Sequence, residues 1–191
     1  MILQAARELF ADRGYAKTTT RDIAKRAHAS EVLLFRYFTS KAQLFEEAIS
    51  EPFDAFMQNI IEQRETLRKG GDGVEMGRNY TEALYRLLLQ ERQLILSLIT
   101  TRAYESSAAD GGDRPRGLHH YFELSEASLR NIYKDLGITP AVNPALGGRL
   151  AFATVVAVAL LQDWLLTDLE DVENVPEAIA TFVLNGLTGR K

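Results

Sequence analysis

The chain has 191 residues, 46% of them hydrophobic and 25% charged, with a formal net charge of −4. This is the composition of an ordinary globular protein, long enough for one large domain or two small ones. It contains no cysteine, which excludes disulfides, thiolate metal sites and cysteine nucleophiles.

Met1 runs straight into the amphipathic stretch ILQAARELF, which carries Arg7 and Glu8 and does not read as a signal peptide. The longest uncharged stretch, Leu150 to Gln162, is too short for a membrane span and is closed by Asp163. A cytoplasmic location without membrane association is expected.

Charge is unevenly spread. Residues 1–50 hold eight Lys or Arg against six Asp or Glu, while the remainder holds fourteen against twenty. Within 13–41 the imbalance sharpens to seven against two, which suggests an end that faces a polyanion.

In chain order, nearly every apolar periodicity is helical and no strand alternation stands out, so the fold class expected is all-α. A first helix over about 2–13 is ended by Gly14. Thr19, with Asp22 three residues on, resembles a capping box for a short helix over 20–27 that buries Ile23, Ala24 and Ala27. Ser30 caps a third helix ending near Phe38. Ser40 and Gln43 form a capping box for a fourth, with Leu44, Phe45, Ala48 and Ile49 inward. Pro52 fits a bend or a new helix start. Longer helices follow over about 53–68, 74–90, 92–106, 117–136, 144–167 and 175–188, with Gly- and Pro-containing breakers between them. SSAADGGDRPRG, 106–117, reads as a mobile surface loop. The organisation expected is a compact bundle of three to four helices over 1–50 and a larger helical domain over 51–191.

Two short capped helices followed by a third are a helix-turn-helix pattern. The second helix of such a pattern shows one face to its own core and the other to the DNA major groove. Leu34 and Phe38, four apart, share the core face. Glu31, Val32, Leu33, Phe35, Arg36 and Tyr37 lie around the rest, where rings and aliphatic groups can pack on thymine methyls.

The run Ile2-Leu3-x-Ala5-Ala6-x-x-Leu9-Phe10, then Gly14-Tyr15, Thr19-Thr20, Asp22-Ile23-Ala24, Ser30, Leu34-Phe35, Phe38, Lys41 and Leu44, resembles the TetR/AcrR family of transcriptional regulators over residues 2–50. That resemblance implies a homodimer whose last two long helices pair with the partner's, and a small-molecule effector that changes the spacing of two DNA-binding heads. It also implies that Thr20 and Arg21 contact DNA at the start of the second helix. Glu31, Val32 and Phe35 fall at base-facing positions, and Leu33, Tyr37 and Lys41 at phosphate-facing ones. The chain departs from the family pattern at His28, usually a glycine in a left-handed turn, and at Val32, Leu33 and Phe35. Leu33 and Phe35 lack the hydroxyl common at those positions, so Arg36, Tyr37, Lys41 and helix amides are expected to carry the backbone contacts.

In the second domain His119, His120 and Glu123 invite a metal reading, but two ligands on one helix face do not make a site. Asp163 could be drawn beside a histidine as an acid–base pair, but no nucleophile motif accompanies it. No metal, cofactor or catalysis is expected; an enzyme centred on 119–123, or a ligand carrier that does not bind DNA, remains the alternative.

The stretch LAFATVVAVALLQDWLL, 150–166, is apolar nearly all round, and half of its circumference needs a partner. Together with the stripe of the last helix it points to a four-helix dimer interface of Val155, Val158, Leu166, Ile179, Phe182, Val183 and Leu187. Candidate effector contacts on the middle helices are Phe56, Ile60, Tyr80, Leu84, Leu98, Arg102, Tyr121, Phe122, Phe152 and Trp164. Such a lining favours a lipophilic molecule.

Overall fold

A computed structural model describes residues 1–67, 73–105, 118–137, 139–169 and 174–188. Among these, all regular structure is helical: α1 (Ile2–Lys17), α2 (Thr20–Arg26), α3 (Glu31–Tyr37), α4 (Lys41–Leu67), α5 (Gly73–Gln90), α6 (Arg92–Glu105), α7 (His119–Leu136), α8 (Pro144–Leu165) and α9 (Val175–Thr188). The 106–117 loop lies outside the described residues.

By compactness the chain divides into Met1–Phe53 with Glu91–His119, and Asp54–Gln90 with His120–Lys191. The first unit therefore includes α6, which packs on α1. Arg7 of α1 pairs with Glu51 at 3.0 Å and also with Glu91. At Gly14 the backbone leaves helical geometry (φ 76°), and the amide of Tyr15 beyond it donates to Ser97 Oγ at 3.1 Å. The helix interruption expected at Gly14 thus exposes a backbone donor that α6 satisfies.

Helices α2, α3 and α4 are each started by a side chain. Thr19 Oγ accepts from Asp22 N, Ser30 Oγ from Leu33 N and Ser40 Oγ from Gln43 N, all at 3.1 Å. Each cap satisfies one of the amides that a helix start leaves unpaired. Gln43 Oε1 reaches back to accept from Thr39 N at 2.7 Å. Between α2 and α3, Ala29 N donates to Ala24 O and His28 N to Lys25 O, the paired bonds of a Schellman turn. That turn puts His28 at φ 52°, in the left-handed region where a Cβ costs about 1–2 kcal/mol. His28→Gly is therefore expected to stabilise the protein by about 0.5–1 kcal/mol after its own unfolded-chain entropy is counted. An unchanged or lowered urea midpoint would contradict this.

α4 corrects the expectation at Pro52: one helix runs through it rather than starting anew. A proline in a helix interior costs about 3 kcal/mol through its missing N–H and ring clash. Complete burial of Leu44, Phe45, Ala48, Ile49 and Phe53 along one stripe of α4 opposes that cost.

In the second unit α5 packs against both α8 and α9. A Cβ on Gly77 would lie 2.6 Å from Leu184 Cδ2, so α5 and α9 approach where only glycine fits without a shift. α8 begins with Asn143 as cap and Pro144 in the first turn. It is longer than the uncharged 150–162 stretch, and by length and composition it is apolar enough to cross a membrane. Its Gly147, Gly148, Val155, Ala159 and Leu160 are buried.

Candidate nucleic-acid interface

The seven residues of α3 divide as the four-residue spacing requires. Leu34 is buried, as is Phe38 just beyond the helix, while Val32, Phe35 and Tyr37 are 81%, 48% and 66% exposed. Leu33 and Arg36 are exposed as well. A short helix that leaves two rings and two aliphatic side chains in solvent, fixed at its back by a packed core, is built to be covered.

Around this face the basic groups are of two kinds. Arg21 and Arg36 are exposed and have no hydrogen-bond or ion-pair partner among the described residues. Lys41 is half-buried, and its Nζ donates to Tyr15 O at 3.0 Å and Thr18 O at 3.1 Å while lying 4.0 Å from the Tyr15 ring centre. It ties the start of α4 to the end of α1, so any phosphate it meets competes with these carbonyls. Arg26 is held by Glu8 of α1, and that hydrogen-bonded pairing holds the Glu8 carboxyl below the usual carboxylate range.

Thr20 and Glu31 meet each other. Thr20 Oγ donates to Glu31 Oε1 at 2.7 Å, bridging the first turns of α2 and α3. Neither sequence spacing nor helical period announces this contact, because the two residues belong to different helices.

Residues 2–48 match the sequence model of the tetR family of bacterial regulatory proteins. Over those residues the chain carries a tetR-family DNA-binding segment. The HTH-type transcriptional regulator YvkB of Bacillus subtilis is 41% identical over 64 residues, 34% of this chain and 33% of YvkB. The chain thus matches about a third of the length of that curated relative. Two solved structures extend the likeness of fold over the whole chain. The transcriptional regulator FadR of B. subtilis, in complex with stearoyl-CoA, superimposes with a TM-score of 0.67 at 18% identity, covering 97% of each chain. FadR of Thermus thermophilus, a TetR-family transcriptional repressor in complex with lauroyl-CoA, gives 0.65 at 22% identity, covering 100% of this chain and 95% of its own.

In the second unit several candidate effector contacts come together. Phe56 lies 5.5 Å from Tyr80, and Tyr121, Phe122 and Phe152 form a mutual cluster with ring centres 5.1–5.2 Å apart. The hydroxyls of Tyr80 and Tyr121 are 2.5 Å apart, and burial pushes both phenols above their ordinary range, so they stay protonated. Arg149, not singled out from sequence, lies 5.0 Å over the Phe122 ring. Leu84 is buried and Ile60 half-buried. Leu98 belongs to the first unit, and the Arg102 side chain lies outside the described residues. Trp164 does not join the aromatic cluster: it is 74% exposed on α8.

The proposed dimer residues also separate. Val155 and Ile179 are buried within the single chain, Val158, Leu166 and Val183 are half-buried, and Phe182 is 71% exposed. The Leu187 side chain lies outside the described residues. The apolar surface left open on α8 is instead Leu146, Leu150, Leu161, Trp164 and Leu165, with the exposed alanines 153 and 157 on the same face.

His119, His120 and Glu123 are exposed at the start of α7, with His120 Nδ1 3.7 Å from Glu123 Oε2. Among the described residues no group of three or more His, Asp or Glu could hold a metal ion.

Proposed function

We propose that the chain is a ligand-responsive transcriptional repressor that binds a pseudo-palindromic operator as a homodimer. The observation that carries this reading is the exposed face of α3, with Val32, Phe35, Arg36 and Tyr37 outward over buried Leu34. Residues 1–50 form the DNA-binding head. Thr20, Arg21, Glu31, Val32, Leu33, Phe35, Arg36, Tyr37 and Lys41 make its contact surface, and α3 enters the major groove. Residues 51–191 bind the effector and pair with the partner chain through α8 and α9. The aromatic cluster of Phe56, Tyr80, Tyr121, Phe122 and Phe152 supports a lipophilic effector, and so does the presence of stearoyl-CoA and lauroyl-CoA in two neighbours of this fold. The protein works in the cytoplasm, where its operator is. The effector releases DNA by binding more tightly to the arrangement of heads that does not fit two half-sites.

The test is binding in vitro to inverted repeats found beside its own gene, with salt and acyl-CoA as variables. Affinity is expected to fall steeply with salt, as phosphate contacts require. Tyr37→Phe and Lys41→Ala are expected to weaken all operator sequences alike, with the lysine change also lowering the salt slope by about one. A loss confined to one base position would contradict the phosphate roles. Absence of binding to any such repeat at low salt would remove the repressor reading itself.

A further inference from the structure

The Thr20–Glu31 contact has a consequence for what the α3 face can read. A carboxylate on a surface meant for DNA faces phosphates of its own sign, which weakens binding unless a specific donor meets it. Glu31 is the first residue of α3, at the end of a recognition helix from which base edges are reached. Its Oε1 is taken by the Thr20 hydroxyl at 2.7 Å, whereas Oε2 has no hydrogen-bond partner among the described residues. The side chain is half-buried, so the hydroxyl holds it in one orientation with the second oxygen left to meet another donor.

The major groove offers that oxygen only a few donors. Guanine presents N7 and O6 and thymine presents O4, all acceptors that repel a carboxylate. Adenine offers its N6 amino group, but the acceptor N7 lies beside it. Cytosine offers the N4 amino group with an acceptor, the paired guanine O6, on one side only and its C5–H on the other, whereas adenine N6 lies between N7 and the paired thymine O4, so cytosine is the base a fixed carboxylate favours.

From this we infer that Glu31 is a specificity-determining residue that reads a cytosine in each half-site, and that Thr20 is the positioning residue that aims it. The inference rests on the DNA-binding reading above. It also changes the part played by Thr20. A hydroxyl that gives its proton to Glu31 is not a phosphate donor, so Thr20 acts through the carboxylate.

The experiment is selection from random duplex DNA with the full-length protein and four variants, each first checked by thermal melting. Wild type is expected to enrich a motif with one symmetry-related cytosine that Glu31→Gln converts to adenine, because a carboxamide matches the adenine N6 and N7 pair. Glu31→Ala is expected to leave that position without preference, with discrimination there falling about tenfold. Thr20→Val is expected to weaken the cytosine preference without replacing it, and Thr20→Ser, which keeps the hydroxyl, to restore it. The inference is overturned if all five proteins enrich the same motif while the variants merely melt earlier, the mark of a simple brace between α2 and α3. If wild type enriches nothing at low salt, it is the DNA-binding reading that fails. Should Glu31→Gln not fold, Glu31→Ala and the threonine pair decide the matter at the same base position.

Discussion

Phe182→Asp is expected to give a folded single chain that sediments as a monomer and binds operator far more weakly than the parent. The side chain is 71% exposed, so the substitution removes little from the packing of its own chain. On α9 it lies with exposed Ala178 and Thr181, and α9 packs beside α8, whose Leu150, Leu161 and Trp164 are also open to solvent. In a two-fold symmetric interface one substitution acts twice, placing two carboxylates against apolar surface. Loss of a central aromatic anchor costs about 2–4 kcal/mol of association before that repulsion is added. Operator binding then suffers beyond any change at the heads, because joining two half-site contacts raises avidity by about 10²–10⁴. The informative contrast is Ile179→Asp, three residues away but buried in the chain itself. That variant is expected to misfold rather than merely dissociate. If Phe182→Asp sediments as the parent does, the α8–α9 face is not the dimer interface.

That contrast also marks how far the sequence can be read. Where a helix is amphipathic, the period assigns its face, and so the spacing alone separates Leu34 and Phe38 from Phe35, Arg36 and Tyr37. Caps at Thr19, Ser30 and Ser40 are local signals with local causes, whereas the left-handed turn at His28 has no signal in the histidine itself and is implied only by the resemblance, where a glycine is usual. α8 is different. Being apolar nearly all round, it carries no phase, and the period cannot tell which side packs inward. Val155 belongs to the chain's own core, while Trp164 stands in solvent. Contacts between helices distant in sequence are equally invisible. Nothing near Tyr15 predicts that its amide is met by Ser97, nor does Lys41 announce that its ammonium caps the carbonyls of Tyr15 and Thr18. The Thr20–Glu31 bond is hidden for the same reason, although both residues stand among the candidates for DNA contact. Pro52 errs in the other direction: a strong local signal for a break is outweighed by the buried stripe of α4.

Phe45→Ala is expected to cause the largest loss of stability in the first unit. The ring is fully buried, 4.8 Å edge-on from Phe10 and 4.8 Å from Tyr15, and it joins the inner faces of α1 and α4. Truncating such a residue leaves a cavity that its rigid neighbours fill only in part, at a cost of about 3–5 kcal/mol and a fall in Tm of about 10 °C. Phe45→Leu keeps most of the volume and is expected to cost about 1.5 kcal/mol or less. DNA binding should fall further than the melting temperature alone implies, even well below the transition. Tyr15 leans on Phe45, and the Tyr15 ring and carbonyl in turn hold the Lys41 ammonium at the start of α4. Loosening the ring therefore frees the turn that follows α3. A Phe45→Ala protein that melts earlier yet binds operator with parental affinity at low temperature would show that this core sets stability but not the placement of Lys41.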